Sequence, residues 1–405
     1  MNVDFLFGTF PDLWLANLSA LLFYGLCLAS VFAPVRNYLR PRLQTPTPST
    51  GLYLEPLDSL RGLAALWIAA AHTMFRTYPF FSLSMPYAVY LGVGSKAVAV
   101  FCVLSGLLIW RSVKKLKSLD DLRMYLKRRL LRIYPLYFFT LAVVVALQIV
   151  PSEPGRLIAE FTMMRSFLPS KTIVLPHVWS LYVEVIYYAL APLMVLMFGR
   201  RALPIAALLT VAFFIAAPFG ARETPLLPYF FVGITLAELF DQYGKKIPQW
   251  AGALAFVLGA WLLSIDITND WVATLLGTPK DLVGFSVGLA IACFLLVIGI
   301  TVSKPFAWVF SLPPLRILGT VSYSVFMLHP IFLYFCFPLQ GLGENAAGRA
   351  LLRETLPMVA PWYLPLVFLP GIIFWAILSY LFIERPFLNM RKRPAPAGPM
   401  VAAQP

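Results

Sequence analysis

The chain has 405 residues, of which 60% are hydrophobic and only 12% are charged. A soluble domain carries about 25% charged residues, so this composition excludes an ordinary soluble protein and predicts a polytopic membrane protein. The formal net charge of +14 would suit a nucleic-acid-binding protein, but the positions of the basic residues explain it differently. No metal site is expected, because the four cysteines do not have the spacing of metal ligands.

Apolar segments long enough to cross a bilayer follow one another along the chain. A transmembrane helix needs about 20 mostly apolar residues. The pattern predicts eleven spans, at about 13–33, 57–76, 90–110, 132–150, 178–198, 203–219, 225–240, 249–265, 283–301, 317–338 and 362–384. The first is too long and starts too late for an ordinary signal peptide, and residues 305–314 are either a re-entrant segment or a loop. The predicted fold class is therefore an all-α transmembrane bundle.

The basic residues predict how this bundle is oriented. If the loop after the first span is cytoplasmic, 22 of the Lys and Arg residues are inside and 8 are outside. This asymmetry obeys the positive-inside rule and places the N-terminus outside and the C-terminus in the cytoplasm. Most of the net charge is therefore a topology signal, which argues against nucleic acid as a partner. The expected location is a bacterial inner membrane.

Arg61 and His72 lie in the second predicted span, LRGLAALWIAAAHTMF. Ionisable residues within a span are costly and are often functional. Eleven positions correspond to three helical turns, so both residues share a face and lie about 16 Å apart. The alternatives are that Arg61 snorkels or pairs with Asp58, and that His72 is an ordinary buried histidine with its hydrogen bonds satisfied.

Further polar residues lie at similar predicted depths in other spans. The segment HVWSLYVEVIYY places His177, Ser180 and Glu184 on one helical face, and GTVSYSVFMLHP does the same for Ser322 and His329. A carboxylate and imidazoles at one depth can perform general acid–base catalysis. Glu184 could instead form a buried ion pair with Lys96 or Arg61, and His177 and His329 could be structural.

Two arginines begin the fourth span, in KRRLLRIYP. Arg129 and Arg132 are three residues apart on one face, and two guanidinium groups form a good clamp for phosphate. They could also be topology charges or contacts to lipid phosphates. In FCVLSGLLIW, Ser105 and Gly106 permit close approach of a ligand, or simply of another helix.

Six of these segments, in this order, resemble the motifs of the acyltransferase-3 family of integral-membrane O-acyltransferases. They are LDSLRGLAALWIAAAH, VFCVLSGLLI, RRLLRIYPLY, HVWSLYVEVIYY, GTVSYSVFMLHP and FIERPF. Its Arg-x10-His and Arg-x-x-Arg signatures fall on Arg61 and His72 and on Arg129 and Arg132. The resemblance implies a ten-helix acyltransferase domain at 51–390, preceded by an extra helix and basic linker (1–50) and followed by a disordered tail (391–405).

The resemblance also implies a chemistry. An acyl group, often acetyl, passes from cytoplasmic acyl-CoA to a hydroxyl of a glycan, glycolipid or other acceptor, without a permanently bound cofactor. We expect Arg129 and Arg132 to bind the CoA phosphates and the pantetheine arm to pass Arg61 and Ser105. The other predicted donor-site residues are Lys96 and Asp58.

In the expected mechanism, His72 acts as the general base or carries the acyl group itself. Glu184 orients His72, and His329 or Lys96 stabilises the oxyanion. A proton-coupled transporter and a non-catalytic membrane scaffold are the alternatives, since buried charges facing a bundle interior also occur in transporters. Neither the acceptor nor the acyl length follows from the sequence.

Overall fold

The computed structural model describes residues 13–43, 55–77, 94–147, 154–163, 175–216, 226–264, 287–336 and 364–390. These residues are almost entirely helical and contain no β-strand, which confirms the all-α prediction for the described part. The predicted disordered tail, 391–405, lies outside the described residues.

The α-helices are numbered in chain order. They are α1 (Leu13–Ala29), α2 (Ala33–Leu43), α3 (Glu55–Thr77), α4 (Gly94–Val113), α5 (Leu119–Ala146), α6 (Pro154–Phe161), α7 (Trp179–Phe198), α8 (Ala202–Ala216), α9 (Leu227–Tyr243), α10 (Gln249–Ser264), α11 (Val287–Val302), α12 (Lys304–Phe310), α13 (Pro313–Thr320), α14 (Ser322–Cys336), α15 (Leu369–Ser379) and α16 (Arg385–Asn389). A 3₁₀ turn at Pro176–Val178 precedes α7, and π-helical turns at Leu364–Phe368 and Tyr380–Glu384 flank α15.

Four helical segments are long and apolar enough to cross a membrane: Lys96–Val113, Leu119–Ala146, Trp179–Phe198 and Pro365–Asn389. Three pairs, α1–α2, α11–α12 and α13–α14, meet the same criteria only as pairs, and they are bent by 108°, 94° and 68°. The described residues therefore contain four to seven candidate spans, and the predicted count of eleven is not confirmed. Several predicted spans extend beyond the described residues, and α8 and α10 are short.

Two local expectations have clear outcomes. Residues 304–310 form α12, so the alternative that this part of 305–314 is a loop is wrong. The first predicted span is α1, which packs against α15: Trp375 Nε1 donates to Ser19 Oγ at 3.0 Å, and Tyr24 donates to the carbonyl of Leu366 at 2.8 Å. The N-terminal helix is thus packed onto the last long helix of the bundle.

Helix α3, which carries Arg61 and His72, is central because small side chains cover its surface. Five of its alanines are at most 3% exposed: Ala64, Ala65, Ala69, Ala70 and Ala71. A Cβ atom at Gly62 would lie 2.5 Å from the backbone nitrogen of Gly319 in α13. Small residues therefore let α4, α13 and α14 pack directly against α3, which brings His72 close to these helices.

A second close approach joins α4 to α9. A Cβ atom at Gly106 would collide with the backbone of Phe230, and one at Gly233 would lie 2.6 Å from the backbone nitrogen of Leu107. Gly106 therefore faces a helix, which confirms the packing interpretation of this glycine. The neighbouring Ser105 is left to face the bundle interior.

The last motif, FIERPF, contains the π-helical turn that ends α15. Glu384 in this turn is 4% exposed and accepts a hydrogen bond from Ser324 in α14. Ser324 also lies 3.3 Å from the hydroxyl of Ser379. The buried hydrogen bonds attach the last helices to α14, the helix that carries His329.

Candidate active site

A small cavity of about 60 Å³, partly open to solvent, lies among α3, α4, α5, α7, α9 and α14. Its polar lining includes four predicted site residues, Arg61, Ser105, Arg132 and Glu184. Residues from four different helices thus meet at one space. The cavity is the natural candidate for a substrate site in the described part of the molecule.

Arg132 is a cation without a direct partner in this cavity. It is partly buried and lines the cavity, yet it forms neither a hydrogen bond nor an ion pair with any described residue. A guanidinium group has five N–H donors, and a partly buried charge normally finds a hydrogen-bonding counter-charge. Arg132 therefore has donors available for an anionic ligand.

Arg61 has a protein partner. Its Nη1 atom lies 3.1 Å from Oδ1 of Asp58, one turn earlier in α3, which confirms the ion pair that was the structural alternative for Arg61. Asp58 is the more exposed partner, with 40% of its side chain accessible against 11% for Arg61. Since Arg61 also lines the cavity, Asp58 holds this guanidinium at the cavity wall.

Arg129 lies beside the cavity between two tyrosines. Its guanidinium carbon is 5.3 Å from the ring centroid of Tyr125 and 5.1 Å from that of Tyr188, and it donates to Ser112 Oγ at 3.2 Å. These are cation–π distances. Tyr188 itself lines the cavity, so Arg129 and Arg132 approach the same region.

Glu184 accepts hydrogen bonds from Ser105 Oγ at 2.9 Å and from the hydroxyl of Tyr188 at 2.6 Å. The expectation that Glu184 orients His72 stays a prediction, and the hydrogen bonds that Glu184 accepts here come from α4 and from its own helix. Of the two cations considered as ion-pair partners of Glu184, Arg61 pairs with Asp58 and Lys96 donates to the carbonyl of Leu263. Helix α7 turns Glu184 toward α4, where Ser105 donates to it.

The partner of His72 is another histidine. Nδ1 of His72 lies 2.7 Å from Nε2 of His329, and the two rings are stacked with centroids 5.0 Å apart. His329 is fully buried, and its Nδ1 atom lies 3.0 Å from the carbonyl oxygen of Val325 in the preceding turn of α14. The structure therefore brings together two predicted catalytic residues that are 257 positions apart.

These contacts determine the tautomers of the neutral pair. The carbonyl of Val325 can only accept, so Nδ1 of His329 carries the proton and Nε2 of His329 has the lone pair. Nδ1 of His72 must then donate, which leaves the lone pair of His72 on Nε2. His329 thus does for His72 what the carboxylate does in a catalytic triad, holding the ring and the tautomer.

This arrangement corrects the role expected for His329. Both of its ring nitrogens are engaged, one with His72 and one with Val325. It therefore has no donor left for an oxyanion. The other candidate for that role, Lys96, is buried at 3% exposure and donates to the carbonyl of Leu263 in α10 at 3.0 Å.

His177 is a residue whose importance the sequence analysis missed. It is 8% exposed, its ring centroid lies 5.5 Å from that of His329, and neither of its nitrogens has a hydrogen-bond partner among the described residues. All three histidines of the chain therefore form one group. The shared helical face with Ser180 and Glu184 was the available signal, but His177 was discounted because it lies at the end of a span.

The histidine group and the cavity are adjacent. Ile68 lines the cavity and precedes His72 by four residues on α3, and Phe326 lines it and precedes His329 by three residues on α14. The ring centroid of Phe326 is 5.5 Å from that of His177. The cationic cavity is thus followed, about one helical turn farther along α3 and α14, by the imidazoles.

Known proteins resemble this chain over the same region. A family model described as an acyltransferase domain, that of acyltransferase-3, matches residues 55–383. The acyltransferase MdmB of Streptomyces mycarofaciens is 30% identical over 244 residues, which are 55% of this chain and 60% of that protein. The exopolysaccharide production protein ExoZ of Rhizobium meliloti is 26% identical over 76% of this chain and 93% of its own length.

A third relative is the O-acetyltransferase OatA of Staphylococcus aureus, which is 25% identical over 70% of this chain. The match spans 51% of OatA, so this chain corresponds to about half of that protein. No solved structure matches the chain significantly. Because the family model covers most of the chain, including Arg61, His72, the two arginines of α5 and His329, the chain belongs to the acyltransferase-3 family.

Proposed function

We propose that this protein transfers an acyl group from acyl-CoA to a hydroxyl of a glycan or glycolipid, with His72 as the general base. The observation that carries the proposal is the His72–His329 pair, which leaves a lone pair on Nε2 of His72 close to a cavity lined by Arg61 and Arg132. Phosphate-binding groups next to a base are what an acyl-CoA-dependent transfer requires.

The donor is assigned from the charges at the cavity. Arg132 has free donors, and Arg129 lies alongside, so both are available to phosphate oxygens of CoA. Arg61 lies about 16 Å from His72 along α3, which suits a thin pantetheine arm between the phosphates and the thioester. The positive-inside orientation places this end of α3 in the cytoplasm, where acyl-CoA is available.

The chemical step follows from the tautomer of His72. Nε2 takes the proton of the acceptor hydroxyl as its oxygen attacks the thioester carbonyl. The C–S bond then breaks, and the CoA thiolate receives that proton from His72. His329 holds the imidazolium in place throughout, because its Nε2 lone pair accepts from His72 Nδ1–H. Direct transfer in this way needs no acyl-histidine.

The acceptor class is proposed from the relatives. ExoZ is named for exopolysaccharide production and OatA for O-acetylation, so a sugar hydroxyl is the first acceptor to test here. The transporter alternative is not favoured, since the family to which the chain belongs is one of acyltransferases. We place the protein in a bacterial inner membrane with its C-terminus in the cytoplasm.

The test uses full-length protein in nanodiscs with acetyl-CoA, a membrane glycan extract and a thiol reagent. Wild type should release CoA and label the glycan, whereas His72→Ala should do so about 10²–10⁴ times more slowly, the usual contribution of a general base. A folded His72→Ala protein with wild-type turnover refutes the assignment of the base. Failure of the folded wild-type protein to bind or cleave acetyl-CoA refutes the donor.

A further inference from the structure

Part of the cavity lining is a wall of three apolar side chains. Ile68 of α3, Phe101 of α4 and Phe326 of α14 all line it. Ile68 is 3% exposed and Phe326 is 8% exposed, so both are packed against other groups rather than open to solvent. The rings of Phe101 and Phe326 have centroids 6.3 Å apart, which is a packing contact between aromatic rings.

This wall lies directly before the histidines. Ile68 and His72 are four residues apart on α3, which corresponds to a rise of about 6 Å. Phe326 and His329 are three residues apart on α14, and their ring centroids are 6.2 Å apart. Phe326 also contacts His177, at 5.5 Å between centroids. A group that extends from the cavity toward His72 would therefore run near Ile68 and Phe326.

We propose that Ile68, Phe101 and Phe326 form the acyl subsite and that this subsite accepts a short acyl group and rejects long ones. The inference rests on the proposed function, since it takes acyl-CoA as the donor. The thioester carbonyl has to meet the hydroxyl that His72 activates, so the carbon chain on that carbonyl lies against the wall. All three side chains are apolar, as an unbranched alkyl group requires.

The length restriction follows from packing. About one helical turn separates the wall from the histidines, and the rings of Phe101 and Phe326 are already in contact with each other. A longer chain would have to push the rings apart, and overpacking a dense interior is unfavourable. A difference of one methylene in an apolar pocket changes kcat/KM by about 10- to 200-fold. Acetyl should therefore be strongly preferred over hexanoyl.

The experiment compares acetyl-CoA, butyryl-CoA and hexanoyl-CoA as donors for full-length protein in nanodiscs, measured as CoA release with the glycan extract. Phe101→Ala and Phe326→Ala should each raise the hexanoyl-to-acetyl ratio of kcat/KM by at least about tenfold. Phe306→Ala is the matched control, because Phe306 stacks on Phe256, a pair that does not line the cavity. Its ratio should equal that of wild type.

Phe326 also packs against the histidines, so Phe326→Ala could be unstable. In that case Phe326→Leu, a milder substitution, is measured in its place. The subsite is refuted if wild type uses hexanoyl-CoA as well as acetyl-CoA, or if stable variants at both Phe101 and Phe326 keep the wild-type ratio. Either result leaves acyl transfer itself intact. Absence of CoA release from wild type with every donor overturns the proposed function instead, which distinguishes the two failures.

Discussion

Replacing His329 with phenylalanine tests the histidine pair most directly. The substitution retains an aromatic ring of similar shape in α14 but removes the Nε2 acceptor of His72 and the donor to Val325. His72 keeps its own imidazole and loses only the group that determines its tautomer and orientation. If His329 acts through His72, turnover should fall while donor binding should not change.

The magnitude follows from the lost hydrogen bond. Hydrogen bonds to charged groups are worth about 1.5–3 kcal/mol, and the bond to His72 becomes charge-assisted when His72 is an imidazolium. At about 1.4 kcal/mol per factor of ten, kcat should fall about 10- to 150-fold. His329 is not part of the cavity lining, so KM for acetyl-CoA should stay within about twofold of the wild-type value.

The assay is steady-state CoA release, with His72→Ala, His329→Phe and the double variant measured side by side. Groups that act as a unit are not additive. The double variant should therefore be no slower than His72→Ala alone. His329→Gln offers an amide oxygen to His72 and should recover part of the loss. Full additivity of the two substitutions, or a loss in KM alone, would refute the reasoning.

Three other substitutions test the cavity and the packing. Arg132→Ala should raise KM for acetyl-CoA about 10- to 150-fold in a CoA-release assay, because one charge-assisted phosphate contact is lost. Arg123→Ala is its control on the same helix, since Arg123 is 80% exposed. If the two variants had the same KM for acetyl-CoA, the donor site would be contradicted. Glu184→Gln keeps both acceptor bonds in one oxygen and should reduce kcat less than about tenfold, whereas a drop as large as that of His72→Ala would restore a triad role. Gly62→Ala should lower the free energy of unfolding by about 1–3 kcal/mol, because its Cβ would lie 2.5 Å from the backbone of α13. Gly25→Ala, where nothing lies within 4 Å, should leave the melting temperature unchanged or slightly higher, and equal effects of the two would exclude close packing as the cause.

The local pattern of residues was informative wherever both residues of a pair lie on the same helix. The pairing of Arg61 with Asp58 and the helix-packing role of Gly106 were both alternatives that spacing offered, and the structure has them. Helical periodicity decides which side chains share a face before any packing is known. The number of spans was less predictable, because bent pairs such as α13–α14 look like single apolar segments in the sequence.

Partners on different helices could not be assigned in the same way. Glu184 and His329 both lie on helices that pack near α3 or α4, and depth alone made either of them a candidate partner for His72. The rotation of each helix about its own axis decides which side chain contacts His72. Glu184 faces Ser105, while His329 faces His72. The contact of His177 with His329 could not be assigned from the sequence either, since it depends on how the turn before α7 enters the bundle.

The sequence by itself therefore determined the helical class and the set of ionisable residues inside the apolar segments, because composition and periodicity are local properties. The family was indicated by the resemblance of the six motifs. Only the tertiary structure decided which of those residues meet. The interhelical packing of α3 with α4 and α14, made close by alanine and glycine contacts, joins His72 to His329 and leaves Glu184 with Ser105. Such pairings depend on helix rotation and separation, which no single segment encodes.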